Sequence, residues 1–135
     1  MAADTKFLFT YGTLMRGFPN PFAQRLHSLS TFEGSGTFPG LLYKISWYPG
    51  AIYDEDADSQ VYGEIYRLEE KEILLKELDE YEDVLEDEIL SLYVRKIIPI
   101  RMQDGTLISC WVYLYNQDLS SLLKIESGNF RDVSH

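Results

Sequence analysis

The chain has 135 residues, 45% of them hydrophobic, with 12 Lys and Arg against 22 Asp and Glu and a formal net charge of −10. That length fits one domain over 1–135 with a core of its own, and the acidity argues against wide contact with phosphate backbones or anionic lipid, so neither nucleic acid nor membrane is an expected partner. Cys110 is the lone cysteine, which rules out an intrachain disulfide framework, no apolar run reaches the ~20 residues of a membrane helix, and Met1 to Thr5 lacks the basic and apolar regions of a leader, so a cytoplasmic protein is expected.

Lys6-Phe7-Leu8-Phe9-Thr10 is aromatic and β-prone, and Gly12 follows it, which predicts a strand ending in a tight turn. Pro19 and Pro21 mark a break, after which Phe22, Leu26 and Leu29 lie on one face of a short helix. Residues 30–60 set Gly34, Gly36, Pro39, Gly40, Pro49 and Gly50 between short aromatic runs, the punctuation of short strands and turns. Val61 to Leu68 alternates as a strand with a tight spot at Gly63, and residues 70–82 form an amphipathic helix through Leu74, Leu75, Leu78 and Tyr81. Tyr93–Ile100 and Thr106–Tyr115 read as two strands of a hairpin around Gln103-Asp104-Gly105, and the polar tail from Ser121 is expected to drape over the surface. Short, mostly non-local strands with flanking helices suit an α+β fold built as a small mixed β-barrel.

The charge is concentrated. Residues 69–88 hold eleven acids and two lysines, so the rest of the chain is nearly neutral. Asp54, Asp56 and Asp58 resemble the start of a calcium loop, but Ser59 and Ile65 stand where its glycine and glutamate belong. His27, His135 and Cys110 are scattered, so no metal site is expected. Cys110, mid-strand beside Trp111, reads as a buried thiol, and His27 as a surface or capping residue.

Two features carry chemistry. Tyr11-Gly12-Thr13-Leu14 follows the first strand, where a glycine permits a sharp turn and consecutive N–H groups can form an anion-binding nest. The second is the end of the acidic helix. With Leu78 at zero, Leu74 falls near −40°, Leu75 near +60°, Tyr81 near −60° and Glu82 near +40°, at ~100° per residue. Glu77, Asp79 and Glu80 fall outside that arc, so Glu82 alone of these acids is expected to face the interior. Desolvation and the negative end of the helix dipole disfavour its anion, which raises its pKa toward that of a general base working near neutrality. A glutamate satisfied by a tyrosine, an arginine or the backbone would show the same pattern.

Tyr11-Gly12-Thr13-Leu14-Met15-Arg16-Gly17 resembles the signature loop of the gamma-glutamylcyclotransferase-like superfamily. Val61-x-Gly63-Glu64-Ile65-Tyr66, Leu78-Asp79-x-x-Glu82, Tyr93-x-Arg95 and Ile125-Glu126-Ser127-Gly128-Asn129-Phe130 follow in the family's order, so the resemblance spans nearly the whole chain. It implies a small mixed β-barrel and cleavage of a small γ-glutamyl amine or peptide. The substrate's α-amine attacks its own γ-carbonyl, 5-oxoproline is released, and no cofactor takes part. On this resemblance Tyr11, Gly12, Thr13 and Leu14 hold the glutamyl moiety, and Glu82 is the acid/base. Tyr93 and Tyr115 help to shape the pocket. Asp83 departs from the glycine that commonly follows the glutamate, and residues 84–90 form an acidic connection.

Two other classes compete: a non-catalytic small-ligand-binding domain that keeps the barrel pocket, and an interaction protein whose acidic 69–88 segment docks a basic partner. Monomer and homodimer both remain open, as do the roles of Arg16, Arg95 and Arg131.

Overall fold

The computed structural model describes residues 4–133. Its elements are β1 (Phe7–Thr10), α1 (Pro21–Ser28), β2 (Ser30–Lys44), β3 (Pro49–Tyr53), β4 (Gln60–Leu68), α2 (Lys71–Tyr81), β5 (Tyr93–Met102), β6 (Leu107–Tyr115) and β7 (Leu123–Lys124), with single 3-10 turns at Glu88–Leu90 and Phe130–Asp132. Strands β2, β4, β1, β6 and β5 lie side by side in that order. Gly36 opposite Met102 and Thr37 opposite Arg101 join β2 to β5 and close a five-stranded barrel. β1 runs parallel to β6 through Leu8 and Trp111, whereas β1–β4, β2–β4 and β5–β6 are antiparallel. This is the small mixed barrel with flanking helices that the strand pattern implies.

The region 30–60 differs from its expected run of short strands. A single 15-residue strand, β2, passes straight through Gly34, Gly36, Pro39 and Gly40. The glycines bend it instead of ending it. Register shifts between Phe32 and Gly34, and Gly34 adopts φ 137°, so Glu33 bulges out and the strand curls. At Gly36 a Cβ would lie 2.7 Å from Ile100 Cγ2 and 2.9 Å from the Arg101 carbonyl, so barrel closure needs the bare backbone there. The far half of β2 leaves the barrel to pair with β3 and β7.

The tail is also anchored rather than draped. Ile125 N–H donates to Leu42 O at 2.7 Å, Tyr62 N–H donates to Gly128 O at 2.9 Å, and Phe130 is 1% exposed. The tail's polar sequence hides that one aromatic, which seals the end of the barrel core.

Side-chain alternation on β1 separates two apolar clusters. Phe9 and Tyr11 join Phe38, Ile65, Ile100 and Val112 inside the barrel. Leu8 faces the other way, with Tyr66, Leu26 of α1, Leu74 and Leu78 of α2, and Tyr113. Thr10 shares the face of Leu8 by strand period. Both helices therefore cover one outer wall of the barrel. Among the described residues no helix is long and apolar enough to cross a membrane.

Candidate active site

The loop after β1 turns at once, with Met15 N–H donating to Gly12 O at 3.0 Å. Its later carbonyls are held from behind. Asn20 Nδ2 donates to Thr13 O at 2.6 Å, and His27 Nε2, 2.8 Å from Leu14 O, must carry the proton because a carbonyl only accepts. Arg131 Nη2 donates to Arg16 O at 2.6 Å. With these carbonyls fixed, the N–H groups of Gly12, Thr13 and Leu14 donate to no group among the described residues. A run of free donors in a buried turn is an anion-binding nest. Gly12 allows the close approach this needs: a Cβ there would lie 2.7 Å from Cγ and 2.8 Å from Cδ of Pro49. The Tyr11 hydroxyl braces the loop, donating to Tyr113 O at 2.5 Å and accepting from Ala51 N–H at 3.1 Å.

These residues line a cavity of about 230 Å³ whose opposite wall is the end of α2. Val84 N–H donates to Asp79 O at 2.9 Å and Asp83 N–H to Glu80 O at 3.3 Å, the paired bonds of a Schellman cap. Asp83 occupies the left-handed position of that cap with φ 54°, the place usually taken by glycine. Glu82 is the C-cap residue that follows Tyr81, and it lines the cavity on the side the helical spacing predicts.

Among the described residues none donates a hydrogen bond to the Glu82 carboxylate, and no Lys, Arg or His lines the cavity. Burial, and secondarily the charge of Asp83, raises its pKa from 4.5 to about 8. Glu64, on β4, shows the opposite arrangement. It is 5% exposed, yet its pKa is lowered. Burial alone would raise it, but the Arg16 N–H at 2.8 Å, the Tyr66 hydroxyl at 2.8 Å, and the guanidinium groups of Arg16 at 3.2 Å and Arg131 at 3.1 Å outweigh that. Two carboxylates in one small protein are thus pushed apart. A satisfied anion braces the loop, and an unsatisfied acid faces an open cavity.

The cavity collects Tyr11, Gly12, Thr13, Leu14, Glu82 and Tyr93. Tyr93 donates its hydroxyl to Pro49 O at 2.5 Å, so it holds the cavity wall in place. Tyr115 does not line the cavity. It packs edge-on behind Tyr93 with ring centroids 5.6 Å apart, because its position on β6 places it next to Tyr93 rather than in front of it. Arg16 and Arg131 are engaged by Glu64, and Arg95 by Asp79 at 2.8 Å, so none of the three lines the cavity. Asp79 is partly buried against Arg95 and the Tyr113 hydroxyl, although the helical spacing put it outside the apolar arc. Its long-range partners draw it inward. His27 is a bracing residue, stacked on Tyr66 at 4.9 Å, rather than a surface one. The Cys110 thiol is buried and pushed up to about 12, as a mid-strand cysteine should be. Among the described residues no His, Cys, Asp and Glu cluster could hold a metal.

Thr10 and Trp47 are among the lining residues that the sequence does not reveal. Thr10 is 4% exposed, and its Oγ1 is a buried side-chain atom with no hydrogen-bond partner. Strand period alone would have put it on the helix-facing side of β1. Trp47, 64% exposed, stands at the cavity rim on the β2–β3 hairpin, and its sequence context gives no hint of that. A desolvated acid and three free amides around one small cavity suit a ligand with its own carboxylate and amine, handled by proton transfer.

A family model described as "Gamma-glutamyl cyclotransferase, AIG2-like" matches residues 8–132. The gamma-glutamylaminecyclotransferase of Mus musculus is 30% identical over 119 residues, which cover 78% of this chain and 75% of that protein. The crystal structure of an AIG2-like protein from Mus musculus superposes with TM-score 0.68 at 29% identity, covering 90% of this chain and 86% of that one. The solution structure of the Escherichia coli protein ytfP gives TM-score 0.65 at 28% identity over 94% and 99% of the two chains.

Proposed function

The chain belongs to the gamma-glutamyl cyclotransferase, AIG2-like family, and from that premise we propose that it is an enzyme cleaving a small γ-glutamyl amine or peptide with release of 5-oxoproline. The free amides of Gly12, Thr13 and Leu14 receive the negative oxygens of the glutamyl portion. Glu82 takes a proton from the substrate's α-ammonium. The freed amine attacks the γ-carbonyl carbon, a carbon–nitrogen bond forms, and the ring closes. As the original amide bond breaks, Glu82 returns its proton to the departing nitrogen, the ring nitrogen gives up its second proton, and the released amine takes up that equivalent as it becomes an ammonium ion. Two protons thus pass from the attacking nitrogen to the departing one, and Glu82 ends as it began. Nucleophile and electrophile belong to one molecule, so the protein's main work is to hold the substrate folded and to relay protons between its two nitrogens.

The observation that carries this reading is Glu82 itself: a carboxyl group with no hydrogen-bonding neighbour, raised to about 8, opening onto the cavity that holds the free amides. A base of that strength at pH 7–8 shuttles a proton readily in both directions, as the two-step exchange needs. Tyr11 and Tyr93 keep their hydroxyl protons, since burial raises both, so they serve as fixed donors to Tyr113 O and Pro49 O. The test is a panel of γ-glutamyl amines and γ-glutamyl dipeptides assayed for 5-oxoproline and free amine in equal amounts. Equimolar release supports the reading. Release of glutamate instead of 5-oxoproline, or no turnover of any panel member, refutes it.

A further inference from the structure

A second hollow, of about 420 Å³, adjoins the Glu82 cavity and shares Thr13 and Trp47 with it. Its wall is chiefly apolar, with Phe18, Pro19, Phe130 and Val133, and Phe18 stacks on Phe130 at 5.6 Å. Among the described residues Lys44 is the one charged residue lining the hollow, and that ammonium forms no ion pair with any of them. Among the described lining residues there is no Asp or Glu, in a chain with 22 of them. Both hollows are tied together by the β2–β3 hairpin. Lys44 ends β2, Trp47 sits at the tip, and Pro49 starts β3 while accepting the Tyr93 hydroxyl.

Size points to a division of labour. At about 230 Å³ the Glu82 cavity lies below the about 300–1,000 Å³ that holds a drug-sized ligand. A glutamyl unit with its nitrogen fits there, and the group on that nitrogen needs room beyond it. The adjoining hollow offers that room across the shared Thr13 and Trp47, and Trp47 is mostly exposed.

We propose that this hollow is the subsite for the amine portion of the substrate, and that it selects portions with an apolar side chain and a free carboxylate. The substrate class is then a γ-glutamyl conjugate of a hydrophobic amino acid, rather than of a polyamine or of a lysine side chain. This rests on the cyclotransferase reading of the Glu82 cavity. The apolar wall buries the side chain. Lys44 pairs with the carboxylate. A cationic amine portion would meet the Lys44 ammonium and find no carboxylate to receive it, despite the net charge of −10 on the whole chain.

Steady-state kinetics on three substrates test this: γ-glutamylphenylalanine, its carboxamide, and γ-glutamylputrescine. The wild type should favour the acid over the carboxamide by about two- to fivefold in kcat/KM, the range for one exposed ion pair, and should turn over the putrescine conjugate least well. Lys44→Met should erase the preference of acid over carboxamide through KM, with kcat for the acid within about twofold, and Lys44→Glu should reverse it. The preference should also shrink as salt is raised. Equal effects of Lys44→Met on acid and carboxamide, or a wild-type preference for the putrescine conjugate, would overturn the subsite. Absence of 5-oxoproline from all three substrates would instead sink the cyclotransferase reading beneath it, so the two failures are separable.

Discussion

Replacing Glu82 with Gln should make the protein more stable and far less active. Gln keeps the shape and removes the charge. The folded protein raises the Glu82 pKa from 4.5 to about 8, so the carboxylate is penalised by folding wherever it is ionised. At ~1.4 kcal/mol per pK unit the full shift has an upper bound of about 5 kcal/mol. The side chain opens onto a cavity that admits water, which screens the charge, so a gain of about 1–2 kcal/mol is expected for Gln. For a chain of 135 residues that is roughly 3–8 °C in Tm. The sign follows from the direction of the shift. Wild-type stability tied to this group is fully present below pH 4.5 and is lost as pH rises to about 8. Melting curves of the two proteins should therefore coincide near pH 4 and separate progressively up to about pH 8. In parallel, kcat for 5-oxoproline release should fall by about 10²–10⁴-fold, the usual contribution of a general acid/base. A Tm difference that does not change with pH would show that Glu82 is not desolvated. A kcat within tenfold of wild type would show that it is not the base.

Asp83→Asn keeps a residue tolerated at the left-handed cap and removes the charge that helps to raise Glu82, so the rise of kcat/KM with pH should move to lower pH while Tm changes by under ~0.5 kcal/mol in equivalent stability; an unmoved profile counts against the coupling. Thr10→Val removes the unpartnered buried hydroxyl at nearly constant shape. The protein should gain about 1 kcal/mol by calorimetry; an unchanged or lower stability would contradict an unsatisfied hydroxyl at that site. Glu64→Gln removes the anion that holds the Arg16 N–H and both guanidinium groups, and since the two arginines are partly exposed it should cost about 1–3 kcal/mol at pH 7. Since Glu64 has a lowered pKa, that cost should fade as pH falls below 4.5, measurable by urea titration at two pH values; an equal cost at both would contradict the anion's bracing role.

Opposite fates of the two buried glutamates show what the sequence made legible. Glu82 was found because a helix has a fixed angular period. Once Leu74, Leu75 and Leu78 define the inner face, the direction of residue 82 follows from local geometry alone. Glu64 was not found, although it is as buried as any core residue. Its strand is covered on both faces around Tyr66, so alternation did not mark a solvent side, and its partners Arg16 and Arg131 lie 48 and 67 residues away in sequence. The same limit applies to β2. Its glycines read locally as turns, and only the strands packed against them show that they are bends in one continuous strand.

The sequence by itself determined the composition class, the strand-rich pattern, the tight loop at Gly12 and the inward acid at the end of α2. Each depends on residues close in the chain, where propensity and periodicity act directly. Only the tertiary structure decided that the loop and the acid share one cavity, that Tyr115 stands outside it, and that Thr10 and Trp47 belong to it. It also decided that the free amides stay free, because the groups that hold the loop's carbonyls from behind, Asn20, His27 and Arg131, come from three separate parts of the chain. Chain closure brings such groups together, and no local period encodes it.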